Sequence, residues 1–250
     1  MNFKLLIQYD GTDFHGWQVQ ENLRTVQGEL EKVIGKLENA EVKVIGSGRT
    51  DSGVHAEGQV ANVHLKRLFT PDKLRAAING NSGRDLRILS VDEVSGDFHS
   101  RFSAKSKTYV YRVVNAPVMS PFWLRYAHHE SSFLDIGKMS EAVSLFLGEH
   151  DWTAFSAARS DVEDRVRTVT EFVISSYWDA RASALIIEFR ISSHGFLRYM
   201  VRSIVGTMLE VGRGEKDSDT ILAAIEGGER SLAGRTAPAS GLTLLKVEYE

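Results

Sequence analysis

The order of the apolar runs restricts the fold of this chain more than any other feature. Residues 3 to 9 read as a buried strand that ends at the glycine turn Asp10-Gly11-Thr12. Val26, Leu30, Val33, Ile34 and Leu37 recur at helical spacing and predict an amphipathic helix over about 25–38. Val42-Lys43-Val44-Ile45 reads as a short strand and Gln59 to Leu65 as another. Thr70-Pro71 supplies an N-cap and a proline at the first helical position, with Leu74, Ala77 and Ile78 on the apolar side of the helix that follows. Leu86 to Val94 closes the series as a strand. The order is β-α-β-β-α-β, the split βαβ or ferredoxin-like arrangement.

The second half repeats that order. Thr108 to Val114 reads as a strand, Ile136 to Leu147 as a helix, 166–174 and 184–191 as strands, and 196–211 as a helix. A shorter helix near 219–226 precedes a last strand at Leu242 to Tyr249. The endings also match: Leu74-Arg75-Ala76-Ala77-Ile78 against Ile221-Leu222-Ala223-Ala224-Ile225, then Leu86-Arg87-Ile88-Leu89-Ser90-Val91 against Leu242-Thr243-Leu244-Leu245-Lys246-Val247. We read an internal duplication with an N-terminal half over 1–104 and a C-terminal half over 105–250. The seam, His99 to Lys107, is basic rather than rich in proline or serine. The expected class is therefore α+β: two ferredoxin-like halves sharing a mostly antiparallel central sheet, with a cleft between them, a favoured place for a ligand.

Composition narrows the chemistry. The chain has 250 residues and no cysteine, which excludes disulfides, thiolate metal sites and cysteine nucleophiles. Its formal net charge of -3 runs against the strongly basic footprint of many nucleic-acid binders, so an RNA partner requires a local basic face. No run approaches the roughly 20 apolar residues of a membrane helix, and the N-terminal apolar run is too short for a signal peptide, so a cytoplasmic protein is expected. The eight histidines lack metal-ligand spacing. The phosphate-cradling loop Gly-x-x-x-x-Gly-Lys-Ser/Thr is absent, and Gly46-x-Gly48 lacks the third glycine of a dinucleotide site.

What remains is the stretch Val44 to Ala56, in which Asp51 follows Arg49 between Gly46 and Gly48 on one side and Gly53 on the other. Glycine permits positive φ and close backbone approach, so this is a tightly turned loop that presents charge. A guanidinium nearby favours the ionised carboxylate, which can serve as nucleophile, base or ion-pair anchor. A surface turn using Asp and Ser for local hydrogen bonds is the alternative. Asp51-Ser52-Gly53 is also the tripeptide of aspartic proteases, but those need two carboxylates sharing a proton, and the chain has a single copy. Tyr109 and Tyr111 share one face of their strand while Arg112 takes the other. Such a pair is either half-buried packing or a stacking surface for bases, with Arg101, Lys105 and Lys107 just upstream. Arg198 and Arg202, at i and i+4 on the expected helix, suit an internal carboxylate or a phosphate. Arg165 and Arg167 share a strand face and could extend a phosphate track.

With Gly48-Arg49-Thr50-Asp51-Ser52-Gly53-Val54-His55 in place, the chain resembles the tRNA pseudouridine synthase A family. The resemblance runs through Tyr9-Asp10-Gly11-Thr12, Gly16-Trp17-Gln18, Phe98 to Ala104, Tyr109-Val110-Tyr111, Met200-Val201-Arg202, Ile204-Val205-Gly206 and Ala239-Ser240-Gly241-Leu242. It implies Asp51 as the catalytic aspartate, Tyr109 as the tyrosine packed on the target base, and Arg202 as the arginine paired with the aspartate. Arg49 falls on an RNA-contacting arginine, and Arg101 and Arg198 are further substrate-binding candidates. The implied reaction turns uridine into pseudouridine at positions 38, 39 and 40 of the tRNA anticodon stem-loop. The resemblance also implies a homodimer, tRNA as partner, and neither cofactor nor metal. Asn81-Ser82-Gly83-Arg84 departs from the Asn-Leu-Pro of many members, and Arg198-Tyr199 from the His pair of some. A non-catalytic RNA-binding protein of ferredoxin-like design, stacking bases on Tyr109 and Tyr111, is the competing expectation.

Overall fold

The computed structural model describes residues 1–158 and 162–249, which form two compact units. One comprises Met1–Lys105 together with Thr243–Glu250, the other Ser106–Leu242. The protein is of mixed α/β type, built on mostly antiparallel multi-stranded sheet.

In the first unit β1 (Asn2–Tyr9), α1 (Val26–Glu38), β2 (Val44–Gly46), β3 (His55–His64), α2 (Pro71–Asn81) and β4 (Leu86–Val94) follow one another. β1 lies between β4 and β3, antiparallel to both, and β2 pairs antiparallel with β3. Phe3, Leu5, Ile7 and Tyr9 alternate inward along β1 and are buried, each apolar side chain stabilising the fold by about 1.5–3 kcal/mol. The expected helix over 25–38 is α1. Thr25 caps it by accepting from Gly28 N, and Val26, Leu30, Val33 and Ile34 form its buried stripe. Pro71 opens α2 as expected, although the Thr70 side chain makes no capping bond there. The last strand of the chain, β10 (Leu242–Glu248), read from the sequence as the close of the second half, pairs in parallel with β3 through Thr243 and Leu244. The unit boundary thus takes a C-terminal strand away from the half to which its sequence order assigned it.

The second unit holds β5 (Ser106–Asn115), β6 (His128–Glu130), α3 (Ile136–Ala142), β7 (Gly148–Asp151), β8 (Val166–Asp179), β9 (Ala184–Ser193), α4 (Met200–Gly212) and α5 (Ser218–Gly227). Its strands run in the order β5-β9-β8-β7, antiparallel throughout, with β6 parallel to β5. Phe146, Trp152 and Phe155 are fully buried and contact one another ring to ring. Trp152 donates its Nε1–H to the Arg167 carbonyl at 2.8 Å, so its one polar atom is satisfied. The helix expected over 196–211 starts only at Met200. Tyr199 precedes it at φ 68°, a left-handed backbone that ends any continuation toward Arg198.

Candidate active site

The turn between β2 and β3 carries Asp51. Only Gly53 of the three glycines read as framing it has positive φ, at 79°. Gly46 has another reason to be glycine: a Cβ there would lie 2.5 Å from the indole of Trp17. The turn is clamped by the segment 10–17, backbone against backbone. Trp17 N donates to the Thr50 carbonyl at 3.1 Å, and Gly53 N to the Phe14 carbonyl at 3.3 Å. A Cβ on Gly11 would fall 2.0 Å from the Val54 carbonyl oxygen, so only glycine permits this approach. Gly11 N also donates to His55 Nδ1 at 3.0 Å, and Asp10 Oδ1 lies 3.3 Å from the same nitrogen.

Buried polar side chains brace the turn from within. Tyr9 Oη lies 2.8 Å from Thr50 Oγ1, and burial pushes the phenol up to about 12, so it remains a neutral hydroxyl. Gln59, wholly buried, accepts from Ser47 Oγ at 2.7 Å and donates through Nε2 to the Gly48 carbonyl at 3.0 Å. The residues on either side of Asp51 are therefore fixed, Thr50 by a side-chain bond and Val54 by a turn bond to the Asp51 carbonyl at 3.1 Å. Asp51 itself is half-buried and Arg49 exposed, an arrangement that presents the carboxylate on a rigid mount with a cation beside it in sequence.

In the second unit Tyr109 is buried on β5, with the Phe196 ring edge-on at 5.1 Å. Tyr111, two residues on, is completely buried and donates its hydroxyl to the Pro238 carbonyl at 2.9 Å. Burial raises its phenol far above the usual tyrosine range. Arg112, on the opposite face as expected, pairs with Glu188 at 2.8 Å. Arg202, in the first turn of α4, donates Nε to the Ala237 carbonyl at 2.7 Å, while Ala237 N returns a bond to the Arg202 carbonyl at 3.0 Å. α4 meets this 233–238 strap so closely that a Cβ on Gly206 would sit 1.7 Å from the Arg235 carbonyl oxygen. The guanidinium carbons of Arg198 and Arg202 lie 4.8 and 5.2 Å from the centre of the Tyr199 ring, within cation–π range.

Comparison with known proteins decides what this mount and these side chains belong to. A family model described as tRNA pseudouridine synthase matches residues 5–103 and 142–250, most of the chain. The chain is 43% identical over 248 residues to tRNA pseudouridine synthase A of Geobacillus sp. (strain WCH70), covering 99% of this chain and 98% of that one. It is 40% identical over 254 residues to the protein of that name from Thermodesulfovibrio yellowstonii, covering 100% of both. With the one from Acetivibrio thermocellus it shares 43% over 248 residues and 99% of each chain. The chain belongs to the tRNA pseudouridine synthase family.

For a member of this family, the two units divide the expected residues equally. Asp51, Arg49 and Arg101 lie in the first unit, and Tyr109, Arg198 and Arg202 in the second. Within the second unit Arg198 and Arg202 converge on one tyrosine ring, but not as helical i, i+4 neighbours, because Arg198 lies outside α4. Arg165 is engaged with its own unit, donating to Ser156 Oγ and the Ala158 carbonyl at 3.2 Å each. Arg167 likewise donates to the Asp164 carbonyl. A groove of about 490 Å³ beside α1, with Arg24, Lys32, Lys36 and Asn81 in its wall, contains none of the expected site residues. Its Arg24 is held by Glu29 and Asp85. Among the described residues no three His, Cys, Asp or Glu side chains come together as a metal-binding group, and no helix is long and apolar enough to cross a membrane. Sequence reading missed Tyr9, Thr50, Gln59, Phe196 and Tyr199. Gln59, a polar residue beside Val60, Ala61 and Val63 on β3, was the signal available for the internal brace.

Proposed function

We propose that this chain isomerises uridine to pseudouridine at positions 38, 39 and 40 of the tRNA anticodon stem-loop. Asp51 is the nucleophile, Tyr109 packs against the flipped base, and Arg202 pairs with Asp51. The observation that carries the proposal is the doubly clamped mount of Asp51 in a chain of this family. A carboxylate on a mobile surface turn would not call for Gly11 and Gly16 packed against its backbone. The reaction breaks the bond from C1′ to N1 of uracil and forms one from C1′ to C5, C5 giving up its proton and N1 gaining one, with the base retained between the two steps. An ionised carboxylate can assist at the sugar or at the base, and a cation such as Arg202 or Arg49 favours its ionised form. The uridine must leave its stack to reach Asp51, and the ring of Tyr109 suits it once flipped. Arg49, Arg101 and Arg198, all exposed, supply phosphate contacts. Two ferredoxin-like halves and a homodimeric active species complete the proposal. The β4-β1-β3-β2 pairing of the first unit supports the former, and exposed Val118, Phe122 and Leu124 support the latter.

The binding-only alternative relied on two tyrosines as a platform, and the complete burial of Tyr111 removes one of them. The test is to map pseudouridine in tRNA incubated with the purified chain and with Asp51→Asn. The unsubstituted chain should modify the anticodon stem-loop, whereas Asp51→Asn should bind tRNA with little loss and form no pseudouridine. Turnover by that variant at the native rate refutes the role of Asp51.

A further inference from the structure

The turn Phe98–Ser103 of the first unit is built with more care than a surface connection requires. Its interior is anchored by polar groups from four other segments. Asn2 Nδ2 donates to the Ser95 and Phe98 carbonyls at 2.9 Å each. Asn62 Oδ1 accepts from Ser100 N at 3.0 Å, and Tyr249 donates its hydroxyl to the Ser100 carbonyl at 2.7 Å while its ring lies 5.1 Å from that of Phe98. Ser100 is completely buried and also donates Oγ to the Ile45 carbonyl. The tip is organised around His99. Its Nδ1 accepts from Arg101 N at 3.2 Å and Phe102 N at 3.3 Å, and its carbonyl accepts from Ser103 N at 2.9 Å.

This scaffold holds an aromatic ring in water. Phe102 is 77% exposed. Its ring faces that of His99 with centroids 4.3 Å apart and planes tilted by 32°, and the Arg101 guanidinium lies 5.6 Å from its centre. Folding gains little from a phenylalanine placed so, and a preorganised turn lowers the entropy lost when a ligand binds it. The neighbours indicate the ligand's chemistry. An apolar protein surface would have to desolvate the exposed Arg101 and Lys105, whereas an unpaired nucleotide offers a π-face to the ring and a phosphate to the cation.

We propose that Phe102, backed by His99 and flanked by Arg101, is a stacking contact for an unpaired base of the tRNA. The site is separate from the packing role given to Tyr109. This inference rests on the tRNA-modifying reading and adds the residue that grips one substrate nucleotide. Base–aromatic stacking is worth enough that Phe102→Ala should weaken binding of an unmodified tRNA transcript to the full chain roughly 5- to 100-fold. Phe102→Trp should bind within about 3-fold of the native chain, since it keeps a π-face. The salt slope of log Kd should be unchanged in Phe102→Ala and should fall by about one in Arg101→Ala, because only the arginine meets phosphate. The ring is exposed, so the melting temperature should not move. Binding by Phe102→Ala within twofold of native overturns the proposal, and so does an equal loss in Phe102→Trp. A changed sedimentation coefficient in Phe102→Ala would mean that a second copy of the chain covers the ring, which also overturns it. Pseudouridine formation by the unsubstituted chain on the same transcript is scored alongside. If pseudouridine forms while Phe102→Ala binds normally, the stacking contact alone has failed. If none forms, the parent reading has failed and this proposal with it.

Discussion

Gly16→Ala tests whether the clamp on the Asp51 turn matters to catalysis. Gly16 has φ 85°, where an alanine carries strain of about 1–3 kcal/mol. The added Cβ would lie 2.7 Å from the Thr50 carbonyl oxygen and 3.2 Å from both the Asp51 carbonyl carbon and Ser52 N. Gly16 cannot retreat easily, because its carbonyl accepts from Val26 N at 3.2 Å and the next carbonyl, Trp17, accepts from Gln27 N at 3.0 Å. Both donors belong to the first turn of α1, so the Asp51 turn is the partner that must give. Reopening a 2.7 Å contact to ordinary van der Waals distance shifts that turn by at least about 0.7 Å, and misplacement of about 1 Å costs on the order of 100-fold in rate. We therefore expect kcat to fall at least roughly 10-fold while the Kd for tRNA stays within about 3-fold. Strain of that size lowers the melting temperature by roughly 2–12 °C for a protein of this length. Single-turnover pseudouridine formation, with binding and thermal melts run in parallel, reads all three. Gly80→Ala is the control: nothing lies within 4 Å of its added Cβ, and alanine is the better helix former. If Gly16→Ala melts lower yet keeps kcat within twofold, the strain is absorbed elsewhere and the clamp does not position Asp51.

Two further outcomes follow from the hydrogen-bond network. Tyr9→Phe removes the buried 2.8 Å bond to Thr50 and should cost about 1–3 kcal/mol in urea unfolding, with a lower kcat; an unchanged unfolding midpoint would remove the brace from the account. Asp85, bonded by Arg24 at 2.6 and 2.9 Å, is held below the usual carboxylate range chiefly by that arginine. The unfolded chain then binds a proton at Asp85 more readily, so the contribution is complete above the ordinary carboxylate pKa of about 4 and is lost as pH falls below it. Both partners are partly exposed, so the effect should stay within about 1 kcal/mol, and Asp85→Asn should flatten the acid limb of stability by that amount. An acid limb identical in the two proteins would rule the pair out as a contributor.

How much could be read from the sequence depended on whether the signal was periodic. Leu30, Val33 and Ile34 on α1 and Phe3, Leu5 and Ile7 on β1 repeat at 3.6 and 2 residues, and they are buried where those periods put them. Asp51 was legible because glycines crowd around it, although for a reason that differs in part from the one expected. Gly46 serves the approach of Trp17 rather than a positive φ. The start of α4 was not legible. Phe196, Leu197 and Met200 continue the helical pattern upstream, and only the left-handed backbone at Tyr199 interrupts it. No residue-level preference announces that conformation, since tyrosine adopts it rarely and at a cost.

The misplaced helix start bears on how the arginines work. Had Arg198 and Arg202 lain one turn apart on α4, their like charges would have repelled weakly along one exposed face. Because the backbone reverses at Tyr199, the two guanidinium groups instead lie against the same ring, 4.8 and 5.2 Å from its centre. The ring's electron-rich face offsets part of the repulsion between the two cations. The strain stored at φ 68° is then the structural cost of that concentration of charge, in the segment where α4 begins and Arg202 is tied to Ala237.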